Sequence, residues 1–133
     1  MRQVQSCAGA VVFDHARRVL LVLRGGPPDA GSWSVPGGRC LAGEPTDQAC
    51  LREVAEETGL VVRILRPAGS VVREGERGIT YAIDDFVCEV VGGALVAGDD
   101  AADARWVTRA GLDELLLVPG LFDALSAWGL LPD

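Results

Sequence analysis

Three glutamates occupy one short stretch of the sequence, REVAEETGL at residues 52–60. They are Glu53, Glu56 and Glu57, and they lie in a chain whose formal net charge is already −7. Like charges three or four residues apart on a helix destabilise it by about 0.2–0.5 kcal/mol per pair. A solvated acidic face is the commonest explanation of such a cluster, so the glutamates alone do not indicate a chemical role.

The glutamates belong to a predicted helix at residues 46–58. Thr46 is a candidate N-cap, and Asp47 suits the positive end of the helix dipole. Gly59 is a candidate stop, because glycine accepts the left-handed conformation that often ends a helix. On a helical wheel at about 100° per residue, an apolar stripe that includes Val54 lies on one side and the glutamates lie on the other. The sequence therefore predicts a helix with one core face and one carboxylate face.

The glutamates also form part of a longer pattern. Counting from Gly38, the chain has five residues, then Glu44, then seven residues, and then REVAEETGL. This pattern resembles the signature of the Nudix hydrolases, in which two positions are bulky aliphatic residues. Every position matches, with Val54 and Leu60 at the aliphatic places, so the box spans residues 38–60. The preceding WSVPGG is also similar to the family.

The resemblance implies a fold and a reaction. The fold would be α/β, a single Nudix domain over residues 1–133 built as an α/β/α sandwich around a central mixed sheet. The reaction would be hydrolysis of a nucleoside diphosphate linked to another group, by attack of water on phosphorus. A polyanionic substrate must then approach a carboxylate-rich site, which requires a divalent cation such as Mg²⁺ or Mn²⁺.

Functional roles follow from the resemblance, position by position. It implies that the three glutamates and the main-chain carbonyl of Gly38 bind metal. Families within the group differ on which glutamate acts as general base. Arg52 and Glu44 complete the catalytic set, with Arg52 expected to pair with Glu44 or with a helix carboxylate and to hold it in place.

An acid outside the box often completes such a site. The segment GDDAADARW offers Asp99, Asp100 and Asp103 ahead of a predicted strand, and Asp100 is the favoured metal ligand. A solvated acidic loop is the alternative, because Asp beside Gly is also ordinary turn chemistry.

Substrate contacts are less constrained by the sequence. Arg24 follows an apolar run and could reach a phosphate, although a plain surface arginine has the same pattern. Trp33 and Tyr81 could stack on a base, as could Phe86 and Trp106. Aromatic residues in strands are more often part of the core.

The segments TYAIDDF and GDDAADARWV resemble the short ADP-ribose pyrophosphatase-like group of Nudix proteins. This chain departs from that group, because VREGE stands where those enzymes carry a proline about fifteen residues beyond the box. ADP-ribose or a related nucleotide sugar is the leading expected substrate. The alternatives are a MutT-like pyrophosphatase that removes oxidised (d)NTPs and a non-catalytic domain that senses a nucleotide. An mRNA-decapping enzyme would need a basic surface, which this acidic chain lacks.

The surrounding elements alternate between strands and helices. Residues 7–13 and 18–24 read as a β-hairpin, and residues 25–31 read as a loop. Further strands are predicted at LVVRIL, GSVVRE, ITYAIDDFVCEVV and ARWV, and helices at AGLDELLL and PGLFDALSAWGLL. Strands interleaved with helices indicate a mixed α/β domain that positions the carboxylates.

Composition limits the class of protein. A chain of 133 residues with 49% hydrophobic residues can form one domain with its own core. No apolar run is long enough to span a membrane and no signal peptide is evident, so a soluble cytoplasmic protein is expected. The acidic balance argues against binding of duplex nucleic acid. The four scattered cysteines are expected to be reduced, and a homodimer is possible.

Overall fold

A mixed seven-stranded sheet forms the centre of the computed structural model, which describes residues 3–26, 29–98 and 101–133. The strands are β1 Gln3–Phe13, β2 Val19–Arg24, β3 Trp33–Ser34, β4 Gly37–Arg39, β5 Leu60–Glu74, β6 Ile79–Gly93 and β7 Ala101–Val107. The helices are α1 Thr46–Thr58, α2 Arg109–Leu112 and α3 Leu121–Ala127. The mixed α/β class predicted from the sequence is confirmed.

The strand order explains where a cleft can form. The main path is β3-β2-β1-β6-β5, with β4 paired to β1 and β7 paired to β2. β1 runs parallel to β6 and antiparallel to β2 and β4. It meets β2 at Phe13↔Val19, whereas its middle residues Cys7–Gly9 pair with β4. β2 and β4 therefore diverge along β1 and leave space between them beside α1.

Alternating side chains place an apolar core on each face of the sheet. Along β1, Ala10 and Val12 pack against α1, whereas Val11 packs against the helices on the opposite face. Leu112 of α2 and Leu125 of α3 belong to that second core. This alternation is the expected result of the two-residue side-chain period of a strand. The α/β/α arrangement implied by the Nudix resemblance is therefore confirmed.

Helix α1 has the predicted bounds, but its predicted N-cap is wrong. Gly59 ends the helix in the left-handed conformation with φ of 73°. Pro45 occupies the N-cap position, and no side chain caps the helix there. The Thr46 hydroxyl instead donates a hydrogen bond to Asp84 Oδ2 of β6 at 3.0 Å. A tertiary acceptor therefore competes successfully with local capping for this hydroxyl.

Two other element predictions need correction. LVVRIL and GSVVRE are one continuous strand, β5, which passes through Pro67 with irregular pairing on both sides of it. Proline is tolerated there because β5 is the edge of the sheet. Only the part of AGLDELLL that lies within α2 is helical. The main chain that follows α2 bonds to Trp33 instead of continuing the helix. Trp33 N donates to Leu116 O at 2.8 Å, and Val118 N donates to Trp33 O at 2.9 Å.

Two further features concern membrane-spanning helices and the cysteines. In the described part of the chain, no helix is both long and apolar enough to cross a membrane. Cys7, Cys40, Cys50 and Cys88 all carry free thiols. The Cys50 and Cys88 sulfur atoms lie 3.8 Å apart in the core between α1 and β6.

Candidate active site

A cavity of about 330 Å³ occupies the space where β2 and β4 diverge. It is lined by residues 22–26, residues 37–39, Glu53, Glu57 and Ala101. Four residues selected from the sequence are thereby brought together, namely Arg24, Gly38, Glu53 and Glu57. The cavity thus joins the end of β2, the whole of β4 and the carboxylate face of α1.

The paired glycines of β4 allow main chain to touch both helix carboxylates. The Gly37 N–H donates a hydrogen bond to Glu57 Oε2 at 2.9 Å. At Gly38, an added Cβ would lie 2.7–2.8 Å from the carboxylate atoms of Glu53. Such a separation is too short for any side chain, so this close approach requires glycine. The double glycine therefore fixes where both carboxylates sit relative to β4.

Arg52 connects three carboxylates on the outer side of α1. Its Nε and Nη2 donate to the two oxygens of Glu44 at 2.9 and 2.8 Å. Its Nη1 donates to Glu53 Oε1 at 2.9 Å and to Glu56 Oε2 at 3.1 Å. Nη2 also donates to the main-chain oxygen of Arg39 at 3.1 Å. These contacts use the full donor capacity of a guanidinium and hold Glu53 in one position.

The Arg52–Glu44 pair shifts the pKa of both partners. Hydrogen bonding from Arg52, followed by the N–H of Leu41, lowers the pKa of Glu44 to about 2. The same contact with Glu44, with further contributions from Glu53 and Glu56, raises the pKa of Arg52. Glu44 therefore stays anionic at neutral pH, which suits a residue that orients Arg52 and does not suit a proton carrier.

Glu56 is separated from the other two helix carboxylates. Its side chain is 58% exposed, compared with 15% for Glu53, and it does not line the cavity. Among the described residues, no group of three or more His, Cys, Asp or Glu side chains is arranged to hold an ion. The structure therefore does not gather the three glutamates into one preformed cage.

The donors present nevertheless fit a hard divalent cation. Glu53 and Glu57 line one cavity together with the main chain of Gly38, and all three offer oxygen atoms. Mg²⁺ is commonly held by one or two protein carboxylates together with substrate phosphates and water, because it gives up its hydration shell reluctantly. Two carboxylates at an open cavity therefore match that mode of binding.

The acid expected from outside the box, Asp100, lies outside the described residues. Its described neighbours approach the site, because Gly98 N donates to the main-chain oxygen of Glu57 at 2.8 Å and Ala101 lines the cavity. The alternative acid Asp103 bonds locally, accepting from Ala104 N at 2.8 Å and from Arg105 Nε at 3.0 Å.

The structure separates the expected substrate contacts. Arg24 lines the cavity, as noted above. Trp33 is only 6% exposed and packs in the core beneath α2 and α3, with the Arg105 guanidinium 4.9 Å from its ring centre. The expected base contact by Trp33 is thus replaced by a packing position. Tyr81 lies beside the cavity, where its hydroxyl accepts a hydrogen bond from Arg39 at 2.9 Å.

The other two aromatic candidates also belong to the core. Phe86 and Trp106 pack against the apolar cluster between the sheet and α1. Sequence reasoning missed Arg39, which lines the cavity and places its guanidinium 5.4 Å from the Tyr81 ring centre. The available signal was its position directly after the paired glycines, next to the main chain that touches the helix carboxylates.

Comparison with known proteins agrees with the resemblance found in the sequence. The family model of the NUDIX domain matches residues 4–126 of the chain. The ADP-ribose pyrophosphatase of Methanocaldococcus jannaschii is 34% identical over 106 residues, covering 78% of this chain and 62% of that protein. A putative 8-oxo-dGTP diphosphatase 2 of Mycobacterium tuberculosis is 37% identical over 113 residues, covering 84% of this chain and 78% of that protein.

A solved structure agrees in the fold. The crystal structure of a MutT NUDIX hydrolase from Burkholderia pseudomallei matches with a TM-score of 0.78 at 26% identity. The match covers 94% of this chain and 98% of that chain. This agreement extends to nearly the whole of both chains.

Proposed function

The chain belongs to the Nudix family, and from that premise we propose that it hydrolyses the diphosphate linkage of a nucleoside diphosphate derivative with the help of Mg²⁺ or Mn²⁺. The observation that carries this proposal is the pair of carboxylates, Glu53 and Glu57, held by the glycines of β4 at one cavity. Water would attack phosphorus at this cavity.

Each residue has a physical task in this reaction. Glu53, Glu57 and the Gly38 carbonyl would hold the cation, with Glu56, which lies outside the cavity lining, as a further carboxylate of the box. The cation would neutralise phosphate charge and lower the pKa of an attacking water. Arg52 keeps Glu53 in place through the contacts described above, and Glu44 keeps Arg52 in place.

Two arginine side chains of the cavity would bind the substrate. Arg24 and Arg39 both line the cavity, which places positive charge where a diphosphate would lie. Fixed cations aimed at the developing phosphate charge supply much of the catalysis in phosphoryl transfer. Asp100 is proposed as an additional acid, because its described neighbours Gly98 and Ala101 adjoin Glu57 and the cavity.

Two substrate classes are supported by different relatives. ADP-ribose is the leading candidate from the sequence, and the Methanocaldococcus jannaschii relative carries that name. Oxidised dGTP is the second, because the Mycobacterium tuberculosis relative is 37% identical and aligns over more of this chain. ADP-ribose cleavage would release two monophosphates, whereas cleavage of a dNTP would release pyrophosphate. A purely sensing domain is disfavoured, because it would not need every carboxylate of the box.

Chelation of divalent cations is expected to abolish hydrolysis. An excess of EDTA should reduce turnover of the best substrate to the uncatalysed rate, because without the cation Glu53 and Glu57 would repel the diphosphate and the pKa of the attacking water would not be lowered. Adding Mg²⁺ beyond the chelator should restore the rate. Turnover that persists in EDTA would contradict the metal-dependent mechanism.

The variant Gly38→Ala is expected to lower kcat by at least about tenfold, since a displacement of about 1 Å at a catalytic group can cost 10²-fold. The added methyl group would have to push the Glu53 carboxylate away from its position 2.7–2.8 Å from the new atom. The matched control is Gly92→Ala, where the nearest atom to a new Cβ is 3.7 Å away. Equal turnover by both variants would show that the close approach at Gly38 is not required.

A further inference from the structure

A buried acid, Asp85, lies outside the catalytic cavity and has no part in the reaction described above. It is only 8% exposed and stands in the middle of a row of three residues across the sheet. Gly9 of β1 is its register partner on one side, and Gly69 of β5 is its partner on the other. Its side chain points to the same face as Val87, two residues along β6, which is the face covered by α3.

The two glycines make room for the groups above them. A Cβ on Gly9 would collide with Asp85 Oδ1, which would be only 2.1 Å away. A Cβ on Gly69 would lie 2.4 Å from Cε2 and Nε1 of Trp128. The carboxylate therefore lies over β1 and the indole lies over β5. Directly opposed residues in a sheet have Cβ atoms about 5 Å apart, so the two groups border one small area.

Asp85 has no donor among the described residues, and this is unusual for a buried carboxylate. No buried polar side-chain atom in the described part of the chain lacks a partner, so the small exposed fraction of Asp85 must include its carboxylate oxygens. Burial, followed by repulsion from Asp84, raises the pKa of Asp85 to about 6. At neutral pH the group is mainly ionised and offers two adjacent acceptors.

The row is continuous with the catalytic cavity. Gly9 pairs not only with Asp85 but also with Gly37, whose N–H donates to Glu57. Neighbouring strands are about 4.8 Å apart, so the backbones of Asp85 and Gly37 are about 10 Å apart. A nucleoside attached to a diphosphate in the cavity could therefore reach across β1 toward Asp85.

We propose that Asp85 determines base specificity by accepting hydrogen bonds from the ring N–H and the exocyclic amino group of a guanine base. A carboxylate presents two acceptors side by side, which matches the two adjacent donors of guanine. Adenine presents one donor beside a ring-nitrogen acceptor, which would face the carboxylate without a hydrogen bond and would be rejected. The inference rests on the proposed function. Of its two candidate substrates, ADP-ribose and oxidised dGTP, the inference favours the one that carries a guanine base.

The test is equilibrium binding of GMP, IMP and AMP to the full chain by calorimetry with Mg²⁺ present, since these monophosphates have no diphosphate linkage and no turnover intervenes. The expected order of affinity is GMP, then IMP, then AMP, because inosine keeps the ring N–H and lacks the amino group. GMP should bind at least about tenfold more tightly than AMP, as expected for a charged hydrogen bond. Asp85→Asn should lose about tenfold or more for GMP, since an amide replaces one acceptor with a donor.

The control variant is Glu89→Gln, which removes the same charge from the same strand four residues away and should keep the wild-type order. Equal GMP affinity in wild type and Asp85→Asn would overturn the proposal. Tightest binding of AMP by the wild type, or binding of none of the three, would also overturn it, and neither result needs a variant to fold. Failure of the proposed function would be distinct, because GMP would bind while no nucleotide was hydrolysed with Mg²⁺.

Discussion

Replacing Glu57 by Gln is expected to lower kcat by about 10²-fold or more while leaving the fold intact. Glutamine has nearly the same size, and its carbonyl oxygen can still accept the Gly37 N–H that now bonds Glu57 at 2.9 Å. The change removes only the negative charge, which the cation requires. The measurement is kcat with saturating substrate and Mg²⁺, together with the thermal unfolding midpoint.

The matched control for this variant is Glu114→Gln, an exposed glutamate outside the cavity. It should retain wild-type turnover, which would show that loss of one negative charge from the chain is not itself harmful. A Glu57→Gln enzyme with kcat close to wild type would contradict the role given to Glu57.

Replacing Arg52 by Lys is expected to have the second large effect, on both activity and stability. A lysine ammonium has three donors and no planar fork, so it cannot reproduce the bidentate contact with Glu44 and the contacts with Glu53 and Glu56. Glu53 would then move relative to Gly38, and kcat should fall by at least about tenfold. The unfolding midpoint should fall by roughly 3–6 °C, because these partly exposed pairs contribute on the order of 1 kcal/mol.

Arg109→Lys is the control for this change. Arg109 donates to Asp113 at 3.0 Å one helical turn away, in a pair with side chains that are 40% and 68% exposed. Its replacement should leave kcat unchanged and shift the midpoint by less than about 2 °C, as for most surface ion pairs. If Arg52→Lys behaves like Arg109→Lys, the three carboxylates do not depend on the guanidinium.

Local features of the fold were predictable from the sequence. The bounds of α1 follow from apolar spacing and from Gly59, whose left-handed conformation few other residues accept. The apolar runs at residues 7–13 and 18–24 correspond to β1 and β2, which pair antiparallel at Phe13 and Val19 as the predicted hairpin requires. These predictions succeed because periodicity and glycine conformation are properties of neighbouring residues.

Features set by distant partners were not predictable. The burial of Trp33 depends on main chain near Leu117 that pairs with it, and no spacing in the sequence indicates that contact. The exposure of Glu56 depends on how α1 is rotated about its axis relative to β4. The regular spacing of the three glutamates on the helix therefore did not mean equal access to the cavity. In the sequence, Asp85 is simply one of two adjacent acids in a predicted strand. Only its pairing with Gly9 and Gly69 reveals that it is buried.

The most direct test of the central claim is identification of the products formed from a panel of substrates with Mg²⁺ or Mn²⁺ in ¹⁸O-labelled water. The panel contains ADP-ribose, other nucleotide sugars, NADH, dinucleoside polyphosphates and oxidised dGTP. We predict that at least one member is cleaved within its diphosphate linkage, with the label in a phosphate product, and that EDTA and Glu57→Gln suppress this cleavage. Absence of cleavage across the panel with both metals, or label found only outside the phosphate products, would contradict the account.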